Sequence, residues 1–271
     1  MKRVDRSADR AAYKQLADII RDMIVSGELD AGAELPSEAA LAEEQGMSKT
    51  SVIQALGVLR SEGLIVSTRG RRSQVRPVRI LGSQRYQAGK SGYGSGHVQI
   101  EERFAAEHGV SWSEFDTTKE YKVVPAPPRV AGALKLRIGA DVCERRWTWA
   151  TGGVTLRMSY SYVDVERFAH TVLVDPNEPP WPGGTIGQLA SLGVDVTHVR
   201  TEVTARGATE DEAGILGVEP GSPVLEAWRV MLADDDPAEI AQHIYPGGSH
   251  ILSFDVPTSD PAGRFAGYPP D

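Results

Sequence analysis

Only Gly46, Met47 and Ser48 separate two stretches that each read as helix, and no other feature of the 271-residue chain restricts its fold more. Pro36-Ser37-Glu38 opens the first stretch, with Ser37 as N-cap and an acidic residue in the first turn, and Ala39 to Gln45 carry it to a stop at Gly46. Ser48 caps the second, which runs through Arg60 and ends near Gly63. Two helices joined this tightly must cross steeply, as in a helix-turn-helix. Upstream, Tyr13, Leu16, Ile19, Ile20, Met23 and Ile24 recur at three- and four-residue steps, predicting a preceding amphipathic helix stopped by Ser26-Gly27.

On a wheel of about 100° per residue, Val52, Ala55, Leu56 and Leu59 share one face of the Ser48-capped helix. Thr50, Gln54 and Gly57 lie opposite, with Ser51 and Ile53 on the flanks. That thin, polar surface suits a DNA major groove. Small residues allow close approach, Gln54 can pair with an adenine edge, and the helix N-terminus with Ser48 and Lys49 can hold a phosphate. After Gly63, the runs Leu64 to Thr68 and Ser73 to Val75 bracket Arg69-Gly70-Arg71-Arg72, predicting a two-stranded hairpin with a basic tip. Five arginines and one glutamate lie between Arg60 and Arg76. A tip so charged requires an anion opposite it, such as the DNA backbone or a minor groove.

The formal charge of −8 looks wrong for such a partner, but it is unevenly spread. Residues 1–77 hold 12 Lys and Arg against 11 Asp and Glu, net +1, whereas the remainder holds 17 against 26, net −9. A hydrophobic content of 41% supports a packed core. No run of ~18 apolar residues and no apolar segment near the start predicts a membrane span or export. The single cysteine, Cys143, allows neither an intrachain disulfide nor a Cys-rich zinc module, in keeping with a cytoplasmic protein. No histidine pair at i, i+4 carries a glutamate and no Gly-x-Ser-x-Gly turn occurs, so no metal, cofactor or catalytic residue is expected. Gly89-Lys90-Ser91 departs from a phosphate-binding loop, with Gln84 where a glycine is needed and no helical pattern after Ser91.

Five glycines between Gly82 and Gly96 interrupt the apolar periodicity and mark a domain boundary. The chain therefore divides into a winged helix-turn-helix domain at 1–77, a linker at 78–97, a second domain at 98–255 and a Pro-, Gly- and Asp-rich flexible tail at 256–271. Within the second domain a short helix is predicted over Gln99 to His108, followed mainly by strands. Val142 to Ala150 and Val154 to Val163 form a hairpin around Thr151-Gly152-Gly153. A helix near Ile186 to Leu192, a strand over Val196 to Arg206 and a helix opened by the capping box Thr209-x-x-Glu212 come next. Strands Val224 to Leu232 and Glu239 to Tyr245 flank a turn at Asp234 to Pro237. The fold class is α+β on a mainly antiparallel sheet.

The first domain resembles the GntR family of bacterial transcription regulators. The resemblance rests on Leu35-Pro36-Ser37-Glu38, Leu41-Ala42, Ser48-x-Thr50-x-Val52, Ala55-Leu56-x-x-Leu59, Glu62-Gly63-Leu64-Ile65 and Arg69-Gly70-Arg71. It implies DNA contacts from Ser37, Lys49, Thr50, Ser51 and Gln54, and a minor-groove contact from Gly70 and Arg71; Ser48, Arg69 and Arg72 join this set from the reading above. The family usually has arginine where Ala39 stands, and often where Lys49 and Ile53 stand, so the base preference implied differs from the family's usual palindrome.

The second domain is similar to the UTRA domain of the HutC branch of that family, whose fold resembles chorismate lyase. Phe104-x-x-Glu107, Glu144-Arg145-Arg146, Thr209-x-x-Glu212-Ala213-x-x-Leu216 and Ile244-Tyr245-Pro246-Gly247 carry the likeness. It implies an effector pocket lined by Arg145, Ser159, Thr185, Arg206, Glu239 and Tyr245. Trp147 stands where sugar-phosphate sensors of this type tend to have a second arginine, which favours a flatter or less charged effector. The expectation is a cytoplasmic homodimeric repressor that binds a near-palindromic DNA operator, is released by a small-molecule effector, and uses neither a cofactor nor a membrane. Two alternatives stand beside it: a repressor whose second domain only dimerises, and a chorismate-lyase-like enzyme domain carrying a DNA anchor.

Overall fold

A computed structural model describes residues 1–66, 72–76, 79–85, 111–177 and 184–255, except 6, 8, 112 and 114, with backbone alone at 79–85, 249 and 251–255. Three helices open the chain: α1 (Ala12–Val25), α2 (Glu38–Gln45) and α3 (Lys49–Ser61). The expected caps are in place. Ser37 Oγ accepts from the Ala40 amide and Ser48 Oγ from the Ser51 amide, each at 3.2 Å, satisfying donors that a helix N-terminus leaves open. Gly46 ends α2 at φ 60°, the left-handed position a side chain would resist. Leu16 and Ile20 of α1 pack on Leu41 of α2 and on Val52, Ala55, Leu56 and Leu59 of α3 in one buried cluster. Antiparallel β1 (Ile65–Val66) and β2 (Gln74–Val75) close it with Ile65 and Val75.

The second domain is built on a six-stranded antiparallel sheet in the order β4-β5-β6-β9-β8-β7. Its strands are β4 (Phe115–Pro125), β5 (Asp141–Thr151), β6 (Val154–Asp164), β7 (His198–Gly207), β8 (Pro223–Ala233) and β9 (Asp236–Pro246). One face packs on α4 (Pro128–Ala133) and α6 (Glu210–Leu216) through Val130, Ala131, Tyr162 and Ile240, and through Leu216, Met158 and Ile244. The other face packs on α5 (Gly184–Ser191) through Leu189, Cys143, Val163 and Met231. The α6 capping box forms as expected, with Thr209 and Glu212 bonded reciprocally.

Three elements differ from the sequence expectation. Edge strand β4 and the six-residue α4 had not been expected as such. At the start of the expected linker, β3 (Arg79–Arg85) pairs in parallel with β10 (His250–Asp255), joining the linker to the end of the second domain. The expected helix at Gln99 to His108, the later part of the linker and the tail at 256–271 lie outside the described residues.

Candidate nucleic-acid interface and effector site

The burial of α3 follows its wheel. Val52, Ala55, Leu56 and Leu59 are at most 2% exposed, while Lys49, Thr50, Ile53 and Gln54 are open to solvent and Ser51 is half-buried. Ser37 and Ser48 are also exposed, so the N-termini of α2 and α3 present their capping hydroxyls on the surface. Two charges carry internal partners: Lys49 Nζ lies 3.5 Å from Glu38 Oε2, and Arg72 lies 3.8 Å from Glu34. Arg72 remains 61% exposed, leaving its cation available to an outside anion. Arg69, Gly70 and Arg71 lie outside the described residues. Arg21, paired with Asp18 inside α1 at 2.5 Å, ties α1 to the end of α3 through Glu62 at 2.6 Å.

In the second domain, the register puts Arg145, Trp147, Ser159, Ser161, Glu239, His243 and Tyr245 on the α5 face of the sheet. Arg145 and Glu239 are 2% and 1% exposed and pair at 2.6 Å. The same guanidinium donates to Ser161 Oγ at 3.1 Å, Gln188 Oε1 at 3.2 Å and Thr185 Oγ1 at 3.5 Å. Among the described residues Glu239 Oε2 is buried without a hydrogen-bond partner. Ser159 lies one step along, where its hydroxyl meets His243 Nδ1 at 2.9 Å, and the Tyr245 ring stands 6.3 Å from the His243 ring. Burial, reinforced by the Arg229 and Arg157 cations, holds the His243 pKa well below its usual value and keeps the imidazole neutral.

Arg206 does not join this group. Its register partner Val224 belongs to the α6-side core, and its guanidinium is clamped between Glu212 at 2.6 Å and Glu226 at 2.9 Å on the opposite face. Those hydrogen bonds, partly opposed by burial, raise its pKa, whereas the bond from Arg206 chiefly lowers that of Glu212. The arginine holds α6 to the sheet and is corrected here from a pocket residue to a brace. A groove of about 620 Å³ opens on that same face beside Arg129, Arg200, Glu202 and Trp228, and none of the expected effector residues lines it. A smaller cleft of about 250 Å³ is lined mainly from that same face, by Arg146, Met158, Tyr160 and Ile215 of α6, and Ser159 is the expected effector residue that borders it. Among the described residues no group of three or more His, Cys, Asp or Glu could hold a metal ion. No described helix is long and apolar enough to cross a membrane.

The family of bacterial regulatory proteins named gntR matches residues 12–75, and the UTRA domain matches residues 117–250. Over 255 residues the chain is 31% identical to an uncharacterised HTH-type transcriptional regulator of Streptomyces coelicolor, covering 92% of this chain and 94% of that protein. The chain belongs to the GntR family. The histidine utilization repressor of Pseudomonas putida is 26% identical over 240 residues, 89% of this chain and 90% of its own, in keeping with a HutC-type GntR regulator. A crystal structure of a GntR-family transcriptional regulator is similar to this chain at a TM-score of 0.55 and 26% identity, covering 93% and 99% of the two chains. In this GntR regulator the helix-turn-helix and UTRA matches lie on either side of the glycines at Gly82 to Gly96.

Two residues of interest escaped the sequence reading. Ile53, placed by the wheel on the flank but not among the expected contacts, is 41% exposed beside the polar face, and its flank position was the available signal. His243 had no motif to mark it; only the pairing of β6 with β9 places it against Ser159.

Proposed function

We propose that this GntR regulator is a cytoplasmic repressor that binds a near-palindromic operator as a homodimer, one α3 entering each of two successive major grooves. The observation that carries this reading is the exposed face of Lys49, Thr50, Ile53 and Gln54 on a helix whose other side is sealed into the core. A face of that width admits base edges, Ser37, Ser48 and Ser51 can hold flanking phosphates, and Arg72, with Arg69, Gly70 and Arg71, supplies the wing contact. The second domain dimerises and receives a small-molecule effector along Ser159 and Tyr245, with Arg145 and Glu239 forming a buried floor beside the half-buried Thr185. Its role is sensing rather than turnover. Footprinting on the DNA upstream of its own gene, repeated with cell metabolite extracts, tests both halves: a symmetric protected site that an extract abolishes supports the reading, and no protection at any concentration overturns it.

One observation favours a second reading, in which the UTRA domain dimerises without a ligand. Arg145 and Glu239 already neutralise each other, and the larger groove lies on the other face of the sheet. Thermal shifts across a metabolite panel separate the two, since a ligand at 100 times its Kd stabilises by about 2.7 kcal/mol.

A further inference from the structure

Arg76 follows β2, at the exit from the DNA-binding domain, and is 2% exposed. Its guanidinium faces backbone carbonyls of the second domain: Leu216 and Gly217 at 3.2 Å each and Thr155 at 3.5 Å. Leu216 and Gly217 are the end of α6, where unsatisfied carbonyls gather partial negative charge, so the cation meets a helix terminus in place of a carboxylate. Nε has no hydrogen-bond partner among the described residues, and burial lowers the pKa to about 10, so the group remains charged at neutral pH while being held by carbonyl dipoles. Burying a cation without a counter-ion among the described residues is costly, and the arrangement persists only while the two domains are pressed together here.

The same seam has two further contacts. Arg60 of α3 lies 3.5 Å from Glu219, just beyond α6. Gly248, after β9, comes so near the end of α3 that a Cβ there would collide with the Glu62 carbonyl oxygen. The elements that meet the DNA-binding domain are therefore continuous with the strands of the α5-face site: Thr155 begins the strand that carries Ser159, and Gly248 follows the strand that carries His243 and Tyr245.

We propose that Arg76 is a latch that fixes the DNA-binding domain in one orientation against the sheet domain of its own chain, and that withdrawing this guanidinium from the α6 terminus releases the domain to turn. The latch needs no assumption about the effector. It makes domain orientation a property of one buried cation and one glycine contact.

The test reads the angle between the domains in the full chain. Cysteines placed at the exposed positions Val25 and Ile138 carry a donor–acceptor pair, Cys143 being buried, and an excess of unlabelled chain ensures that only intrachain distances are read. The parent should give one narrow transfer-efficiency population, and Arg76→Met should broaden or split it. Gly248→Ala, which leaves Arg76 in place but forces a methyl into the Glu62 carbonyl, should do the same from the other side of the seam. Should Arg76→Met lose its helical circular dichroism, Gly248→Ala decides alone. A population unchanged in width and position in the folded variants overturns the latch.

Discussion

Arg145 and Glu239 lie opposite in charge and 2.6 Å apart, on strands separated by β6, with both side chains shut off from solvent. Such a pair contributes less by its attraction than it costs when halved, because the survivor is left charged and buried. Arg145→Met and Glu239→Leu should each destabilise the protein by about 3–5 kcal/mol, and the double variant should recover most of that loss. Urea unfolding measures all three. Single losses that simply add would show the pair to be energetically unlinked.

On the DNA side, Gln54→Ala and Arg72→Ala should fail differently. Removing an amide that reads a base edge should cost about 1–3 kcal/mol on the cognate site and almost nothing on random DNA. Removing Arg72 should weaken both and reduce the slope of log K against log salt by about 1. Fluorescence anisotropy titrations at several salt concentrations resolve the two behaviours; a uniform loss from Gln54→Ala would remove it from base reading.

Ile53 presents an apolar side chain on the edge of a polar face, suited to a thymine methyl in the groove. Ile53→Ser should therefore lower cognate affinity by about 1 kcal/mol with fold stability nearly unchanged, since the residue is already exposed. Binding to operators with each thymine replaced by uracil checks it: one position should lose its effect in the variant.

The neutral state of His243 links stability to pH. Burial first, with Arg229 and Arg157 adding, holds its folded pKa well below 6.5. The unfolded chain takes up a proton near 6.5 that the native protein refuses, so this contribution is whole above that pH and is lost as pH falls below it. His243→Gln should flatten the decline by up to about 1.4 kcal/mol per pH unit. Equal slopes for parent and variant between pH 6.5 and 5 would mean that the imidazole titrates alike in both states.

Much of the first domain was readable because its signals are local. Ser37, Gly46 and Ser48 set helix ends within one turn of themselves, and the α3 wheel separates Leu56 from Gln54 without knowledge of any neighbour. The second domain yielded its hairpins, since Gly152-Gly153 and Asp234-Asp235 mark tight turns, Asp234 taking φ 54°. Strand β4 went unread because most of it is exposed, so no apolar alternation forms over Asp116 to Glu120. The pairing of β3 with β10 joins segments some 170 residues apart in sequence, which no local pattern encodes. Arg206 was misplaced by parity: on a strand, one step of register carries a side chain through the sheet, and nothing in the sequence sets that step for β7.

The neighbour of Lys49 has a consequence for how operators are found. With Glu38 3.5 Å from its ammonium, the cation at the tip of α3 meets a duplex already partly neutralised, and a phosphate must displace a carboxylate to engage it. Random sequence offers phosphates without a matching set of base edges and so gains little from that exchange. A protein built this way should glide past most of a chromosome with short dwell times and pause where the grooves offer base edges as well.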